Sequence, residues 1–121
     1  GTIKWRKPVG EDKVALAAGD KNAGAAGGTL RKGMIVTSTG IVFATAKGGK
    51  LYAFDAENGN VLWETTLSFE TNGQPAMFLQ DGKTYLVVNA TADYTVDSIN
   101  HSKEQGAIQR GYIVFSLSGN K

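Results

Sequence analysis

The stretch AFDAENGNVLW, residues 53–63, ends one strand-like run, turns at Asn58-Gly59 and begins a second run that carries a Trp. The chain opens with GTIKW, residues 1–5, which repeats the Gly-x-x-x-Trp spacing of the longer stretch. Asn and Gly supply the positive φ angles that a tight turn between two strands requires. A turn that recurs with its Trp in the same register is typical of a protein built from repeated units.

The composition favours strands and excludes several kinds of partner. Among 121 residues there are 16 Gly and only 2 Pro, and the apolar residues fall in short runs, a pattern typical of strands joined by turns. The 13 basic and 11 acidic residues are scattered along the chain, which argues against a nucleic-acid partner or a membrane-surface role. The absence of Cys excludes disulfides, thiolate metal sites and a Cys nucleophile. The sequence shows neither a signal peptide nor an apolar run of membrane-spanning length.

Strand-like runs follow one another closely in the middle of the chain. Four of them, separated by turns that contain Gly, cover residues 34–38, 41–46, 51–55 and 61–67. Such a series predicts an up-and-down antiparallel sheet of about the length of a propeller blade. The pattern then begins again with the runs PAMFLQ, KTYLVVN and GYIVFSL.

We therefore predict an all-β fold of antiparallel four-stranded propeller blades, with eight strands in about two blades, as a fragment of a larger β-propeller. Ile3, Trp5 and Val9 alternate with polar residues and predict a half-buried strand. The predicted parts are an orphan outer strand (1–9), a long loop (10–33), a complete blade (34–67) and a final blade that lacks its fourth strand (75–117). The run VALAA in the first loop is too short and uncapped to predict a helix.

Local motifs for metal binding or catalysis are weak. The segment DAENGN, residues 55–60, has its Gly one place too early for a calcium loop, so we expect a turn capped by Asp55 or Asn58. His101 is the only His; it excludes a multi-His metal site and is expected to be exposed rather than to act as a base. A general base could come from the acidic residues of the second long loop, Asp93, Asp97 and Glu104.

Trp5 and Trp63 allow two interpretations. Indole rings stack well on flat ligands, so either Trp could be a binding platform. The repeated Gly-x-x-x-Trp spacing favours a structural role instead, in which each indole docks between neighbouring sheets and its N–H donates to a backbone carbonyl.

The pattern Ala53-x-Asp55-x-x-Asn58-Gly59-x-x-x-Trp63 resembles the tryptophan-docking motif of the pyrroloquinoline quinone (PQQ) dehydrogenase β-propellers. In that family the Gly makes the turn and the Trp packs against the adjacent blade. The resemblance identifies the structural docking residues as Ala53, Asp55, Gly59, Trp63 and Trp5. Three longer stretches are similar to the last blades of the membrane glucose dehydrogenase branch: TSTGIVFATAKGGKLYAFDAENGNVLWETTL, GQPAMFLQDGKTYLVVNA and GYIVFSL.

This resemblance implies the C-terminal propeller segment of a PQQ-dependent sugar or alcohol dehydrogenase in the periplasm or cell envelope. It implies PQQ as the cofactor of the parent protein, together with calcium held by residues outside this segment, where the catalytic Asp also lies. The segment by itself is expected to be inactive. Its expected partners are the remaining blades of the parent chain, and self-association by strand exchange through residues 3–9 is a further possibility.

Two segments of this chain correspond to family segments that approach the central cofactor. Lys32-Gly33-Met34 stands where the family usually has Gly-Gly-Pro, and Thr91-Ala92-Asp93 stands where it usually has Gly-Gly. The resemblance thus implies the cofactor-binding residues Gly33, Thr91, Ala92 and Asp93. The same departures, with the two long loops, also support a second hypothesis, a non-catalytic propeller scaffold that binds protein or carbohydrate.

Overall fold

A computed structural model of the chain describes residues 1–10, 13–21, 32–67, 70–90 and 111–117. The described elements are α1 (Lys13–Ala17), β1 (Met34–Val36), β2 (Ile41–Ala46), β3 (Lys50–Asp55), β4 (Val61–Thr66), β5 (Ala76–Gln80), β6 (Lys83–Ala90) and β7 (Gly111–Leu117). The strands form two antiparallel sheets, the first in the order β1-β2-β3-β4 and the second in the order β5-β6-β7. The predicted all-β fold with antiparallel sheets is confirmed.

The first sheet begins with a shorter strand than the sequence suggests. The apolar pattern predicts a strand as far as Ser38, but β1 ends at Val36. Thr37 already belongs to the turn: its carbonyl accepts from the Gly40 amide at 3.1 Å, and its hydroxyl accepts from the Ile41 amide at 3.0 Å. These bonds close the turn two residues earlier, because a Thr side chain can hydrogen-bond a nearby backbone amide in place of a strand ladder.

The two sheets pack against each other through one core, which we call the inter-sheet core. Side chains of a strand alternate between the two faces of a sheet, and Phe43, Leu51 and Ala53 all face the second sheet. They meet Leu86 and Val88 there, and all five are nearly inaccessible to water. Burying a side chain of this kind stabilises a fold by roughly 1.5–3 kcal/mol, so this contact holds the two sheets together.

The N-terminal residues cover the opposite face of the first sheet, and they do so without forming a strand. The prediction of an outer strand at residues 1–9 is wrong, since the structure has no strand there. Trp5 and Val9 pack on the buried side chains of Val42, Ala44 and Phe54, whereas Ile3 is exposed. A strand needs a neighbouring strand with which to pair, and this segment instead meets the side chains on a sheet face. The predicted loop that follows contains the short helix α1.

Trp5 docks on the turn that joins β3 to β4. Its indole nitrogen Nε1 donates to the Ala56 carbonyl at 2.8 Å, and its ring lies 6.3 Å from that of Phe54 between centroids. Gly59 has φ of 75°, and a Cβ on this residue would stand 2.7 Å from Trp5 Cε3. Gly59 therefore allows both the positive φ of the turn and the close approach of the Trp5 ring.

Trp63 faces the second sheet. The register shifts between the pairs Ala53–Trp63 and Phe54–Val61, and this β-bulge places Trp63 opposite Ala53, which belongs to the inter-sheet core. The indole meets the Phe115 ring edge-on, with centroids 5.6 Å apart, and remains 40% exposed. Trp63 thus contacts a Phe of the next sheet, as Trp5 contacts Phe54.

We expect Gly59→Ala to destabilise the protein more than Gly40→Ala does. Both residues have positive φ, so Ala at either place costs about 1–2 kcal/mol of backbone strain. At Gly40 the added Cβ meets open space, whereas at Gly59 it meets Trp5, which adds roughly 1–3 kcal/mol. Urea unfolding of the polypeptide that contains both sheets measures the difference. Equal losses of unfolding free energy would contradict the docking of Trp5 on Gly59.

Candidate functional site

Several chain segments of both sheets meet at one edge, which we call the shared edge. It consists of residues 32–33 before β1, residues 47–49 between β2 and β3, and residues 70–74 before β5. The Leu67 amide donates to the Gly49 carbonyl at 2.8 Å, so the end of β4 also lies here. β6 ends here too, because the side-chain oxygen of Asn89 accepts from the Asn72 amide at 2.7 Å. The shared edge therefore gathers residues that are far apart in sequence.

Gly33, one of the predicted cofactor-binding residues, lies at the shared edge against the segment that leads into β5. The Thr45 amide donates to the Gly33 carbonyl at 3.1 Å, and the Thr45 hydroxyl lies 3.2 Å from both the nitrogen and the oxygen of Gly33. A Cβ on Gly33 would stand 2.7 Å from the Cα of Gln74. Glycine thus allows the two backbones to approach closely.

A buried ion pair links two segments of the shared edge. Lys32 Nζ lies 2.6 Å from Glu70 Oε2, and the two side chains are only 10% and 7% exposed. The same ammonium donates to the Thr71 carbonyl at 2.7 Å, and Oε1 of Glu70 accepts from the Gly48 amide. The pair and its additional hydrogen bonds therefore connect all three segments of the shared edge.

The segment around this pair buries further polar groups. The Thr71 side chain is 1% exposed, and among the described residues its hydroxyl has no hydrogen-bond partner. A buried hydroxyl without a partner costs about 1–3 kcal/mol. Nearby, the Gln74 side-chain amide reaches back to the first sheet and donates to the Met34 carbonyl at 3.1 Å.

A cavity of about 410 Å³ opens at the shared edge. Its volume lies within the range of about 300–1,000 Å³ that is typical of small-molecule sites. The wall is mainly apolar with a few polar side chains, and it consists of Val9, Lys32, Gly33, Met34, Ala44, Thr45 and Gln74. Lys32, Thr45 and Gln74 already hydrogen-bond within the protein. The cavity therefore presents one apolar wall with polar groups fixed around it.

The structure describes only some of the other predicted site residues. Thr91, Ala92 and Asp93 lie outside the described residues, as do Asp97, His101 and Glu104. Asp55 and Gly59 belong to the turn at the opposite end of β3, where Oδ1 of Asp55 accepts from the Glu57 amide at 2.8 Å. Asn58 donates to the other carboxylate oxygen of Asp55 at 3.3 Å, which is the capped turn that we expected in preference to a calcium loop.

Within the described ranges, no group of three or more His, Asp or Glu side chains is placed to hold a metal ion. In the same part of the chain, the structure has no helix that is both long enough and apolar enough to span a bilayer.

Glu70, Thr45 and Gln74 have roles at the shared edge that the sequence analysis missed. No local motif marks them, since each acquires its role from a contact with a distant segment. Lys32 stands out in the sequence only as a departure from a family pattern. A lone acidic residue between two strands is typical of a solvated loop, and only the fold shows that Glu70 is buried.

The chain is similar to known proteins over much of its length. The β-propeller domain of the PQQ-dependent glucose, ethanol and alcohol dehydrogenases matches residues 1–86. Among solved structures, the quinohemoprotein alcohol dehydrogenase ADHIIG from Pseudomonas putida HK5 is similar, with 26% sequence identity and a TM-score of 0.45. That match covers 47% of this chain and 8% of that chain. A search of the curated proteins found no match.

The matched residues contain the docked Trp5, the whole four-stranded sheet and the segments that form the shared edge. A propeller closes a ring of typically four to eight such sheets, and the described residues form two. This chain belongs to the β-propeller domain family of the PQQ-dependent glucose, ethanol and alcohol dehydrogenases.

Proposed function

We propose that the parent polypeptide is a PQQ-dependent dehydrogenase that oxidises a sugar or an alcohol, and that this chain supplies late blades of its propeller. The observation that carries the proposal is the family match over residues 1–86 together with the cavity at the shared edge. Residues 34–67 would form one complete blade and residues 75–117 the final blade.

The described residues fit one wall of a site for a flat, anionic quinone. Gly33 has no side chain, and its backbone lines the cavity beside the apolar Met34 and Ala44. Gln74 is exposed at the rim and carries an amide group. Lys32 is committed to Glu70 and the Thr71 carbonyl, so cations for the carboxylates of PQQ must come from other parts of the parent.

PQQ, when bound, would take up the two electrons and two protons that leave the substrate as its alcohol becomes a carbonyl. The residues of this chain would bind and orient. The Gly33 backbone would approach the ligand closely, and Val9 and Met34 would exclude water from one side. A general base and calcium ligands would come from earlier blades of the parent.

The proposal also includes the branch of the family, the location of the protein and three further residues of the cofactor wall. The likeness of residues 37–67 to the penultimate blade of the membrane glucose dehydrogenase branch supports that branch. Membership of the quinoprotein family supports a periplasmic or cell-envelope location. Thr91, Ala92 and Asp93, which follow β6 directly, would add to the cofactor wall at the shared edge.

The direct test is a dye-linked oxidation assay on the longest natural polypeptide that contains this segment. After reconstitution with PQQ and calcium, we expect turnover of aldoses or primary alcohols that depends on both additions. Preference for aldoses would support the glucose dehydrogenase branch. The 121-residue chain alone should show no turnover, because two sheets leave the pocket open.

A different outcome would favour the scaffold hypothesis. If the reconstituted polypeptide shows neither turnover nor quenching of Trp fluorescence by PQQ, the dehydrogenase proposal fails. The altered segments at Lys32-Gly33-Met34 and Thr91-Ala92-Asp93 would then belong to a non-catalytic propeller that binds protein or carbohydrate through its loops.

We expect Gly33→Ala to weaken PQQ binding by the parent polypeptide by about tenfold or more, because a small misplacement of a binding wall is costly. The new Cβ would stand 2.7 Å from the Gln74 backbone and would force the two segments apart. Fluorescence titration with PQQ measures the dissociation constant.

Gly1→Ala provides the matched control. A Cβ at Gly1 meets open space, and Gly1 is not among the residues that line the cavity, so this variant should bind PQQ as the wild type does. Equal affinity of the Gly33→Ala variant and the wild type would remove Gly33 from the cofactor wall.

We also propose that the isolated chain self-associates by strand exchange. Among the described strands, β7 pairs only with β6, and an unpaired edge is a template for another strand. Residues 3–9 of a second copy, released from the face of the first sheet, are the proposed occupant. Sedimentation velocity of the 121-residue chain should show a dimer whose share grows with concentration, and a monomer at every concentration would contradict the proposal.

A further inference from the structure

The Lys32–Glu70 pair connects three segments of the shared edge. Lys32 precedes β1, Glu70 precedes β5, and the Gly48 amide that donates to Glu70 lies in the turn between β2 and β3. The second bond of Lys32, to the Thr71 carbonyl, fixes the direction of the chain after Glu70. One pair of side chains thus joins the first sheet to the segment that enters the second sheet.

Stability alone does not account for this arrangement. Removing two charges from water is expensive, and a buried ion pair often stabilises a protein no more than well-packed apolar residues of the same volume do. The adjacent Thr71 hydroxyl is buried and, within the described part of the chain, has no partner. A directional polar cluster that adds little net stability can still hold groups in one particular arrangement.

The pair stands directly beside the cavity. Lys32 lines it, and so do its neighbour Gly33 and Gln74, which follows the Glu70-Thr71 segment. The contact between Gly33 and the Gln74 backbone therefore depends on the relative position of the two segments that the pair joins.

We propose that Lys32 and Glu70 are positioning residues that hold Gly33 against Gln74 in the cavity wall and so set the affinity of the cavity for the quinone. This inference rests on the proposed function as far as the ligand is concerned. Neither side chain needs to touch the quinone, since both act through the backbone segments that they join.

The test compares the wild-type parent polypeptide with the double variant Lys32→Met/Glu70→Gln. The new side chains keep similar volumes, and the amide oxygen introduced by Glu70→Gln remains an acceptor for the Gly48 amide, so the variant should fold even where Lys32→Met alone does not. Two quantities are measured: the dissociation constant for PQQ by fluorescence titration, and hydrogen exchange without PQQ by mass spectrometry. The exchange peptides cover the amides of Thr45 and Asn72, which bond to Gly33 and Asn89 and not to the pair.

We expect the double variant to bind PQQ about tenfold more weakly or worse and to exchange both amides faster, with a thermal midpoint close to that of the wild type. The matched control is Lys4→Met/Glu57→Gln. That pair has a similar Nζ–Oε1 distance of 2.7 Å, but its side chains are 62% and 76% exposed, so its removal should change neither quantity.

The outcomes separate this inference from the proposed function. Unchanged exchange and unchanged affinity in the double variant would overturn the positioning role, as would faster exchange with wild-type affinity. If the wild type binds no PQQ, the proposed function fails, and hydrogen exchange is then the test of the positioning role. Faster exchange at Thr45 and Asn72 in the double variant supports that role, and unchanged exchange refutes it.

Discussion

The packing of the two sheets face to face is the contact on which the rest of the structure depends. Every residue of β2 after Ile41 is buried, so the first sheet needs a cover on both faces. The second sheet covers one face through Leu86 and Val88, and residues 1–9 cover the other. The second sheet also needs a cover on its outer face, because Phe78 and Tyr85 stack 4.9 Å apart there and Tyr112 is 78% exposed. A sheet that needs a cover on both faces can obtain it from one neighbouring blade on each side, and a ring of blades provides such neighbours.

The two Trp residues show how one unit meets the next. Trp5 reaches Phe54 of the first sheet, and Trp63 of that sheet reaches Phe115 of the second. The contacts differ in detail: the first is anchored by the bond from the indole to the Ala56 carbonyl, whereas the second meets its ring edge-on. Both indoles thus make their contacts beside β3 and β4, whereas the Lys32–Glu70 pair lies beside the cavity.

The sequence predicted the parts of the fold that local chemistry determines. Alternating apolar residues and the turn residues Asn58, Gly59 and Gly40 marked the strands of the first sheet, because strand period and positive φ are properties of a few neighbouring residues. Residues 1–9 have the same alternation but no strand to pair with, so the prediction failed there. The bulge opposite Ala53 and the burial of Glu70 arise from contacts between distant segments. Such contacts cannot be predicted from a local sequence pattern. Gly33 could be picked out only through the family likeness, and its close approach to Gln74 became visible only in the fold.

We propose that the shared edge, and not the opposite edge with the Asp55–Gly59 turn, faces the cofactor. The most direct measurement is an experimental structure of the parent polypeptide with PQQ bound. We expect the quinone to lie against the cavity wall, in van der Waals contact with Gly33 and with the Lys32–Glu70 pair intact behind it. A quinone bound at the edge of the Asp55–Gly59 turn, or one separated from Gly33 by another layer of the protein, would contradict this interpretation.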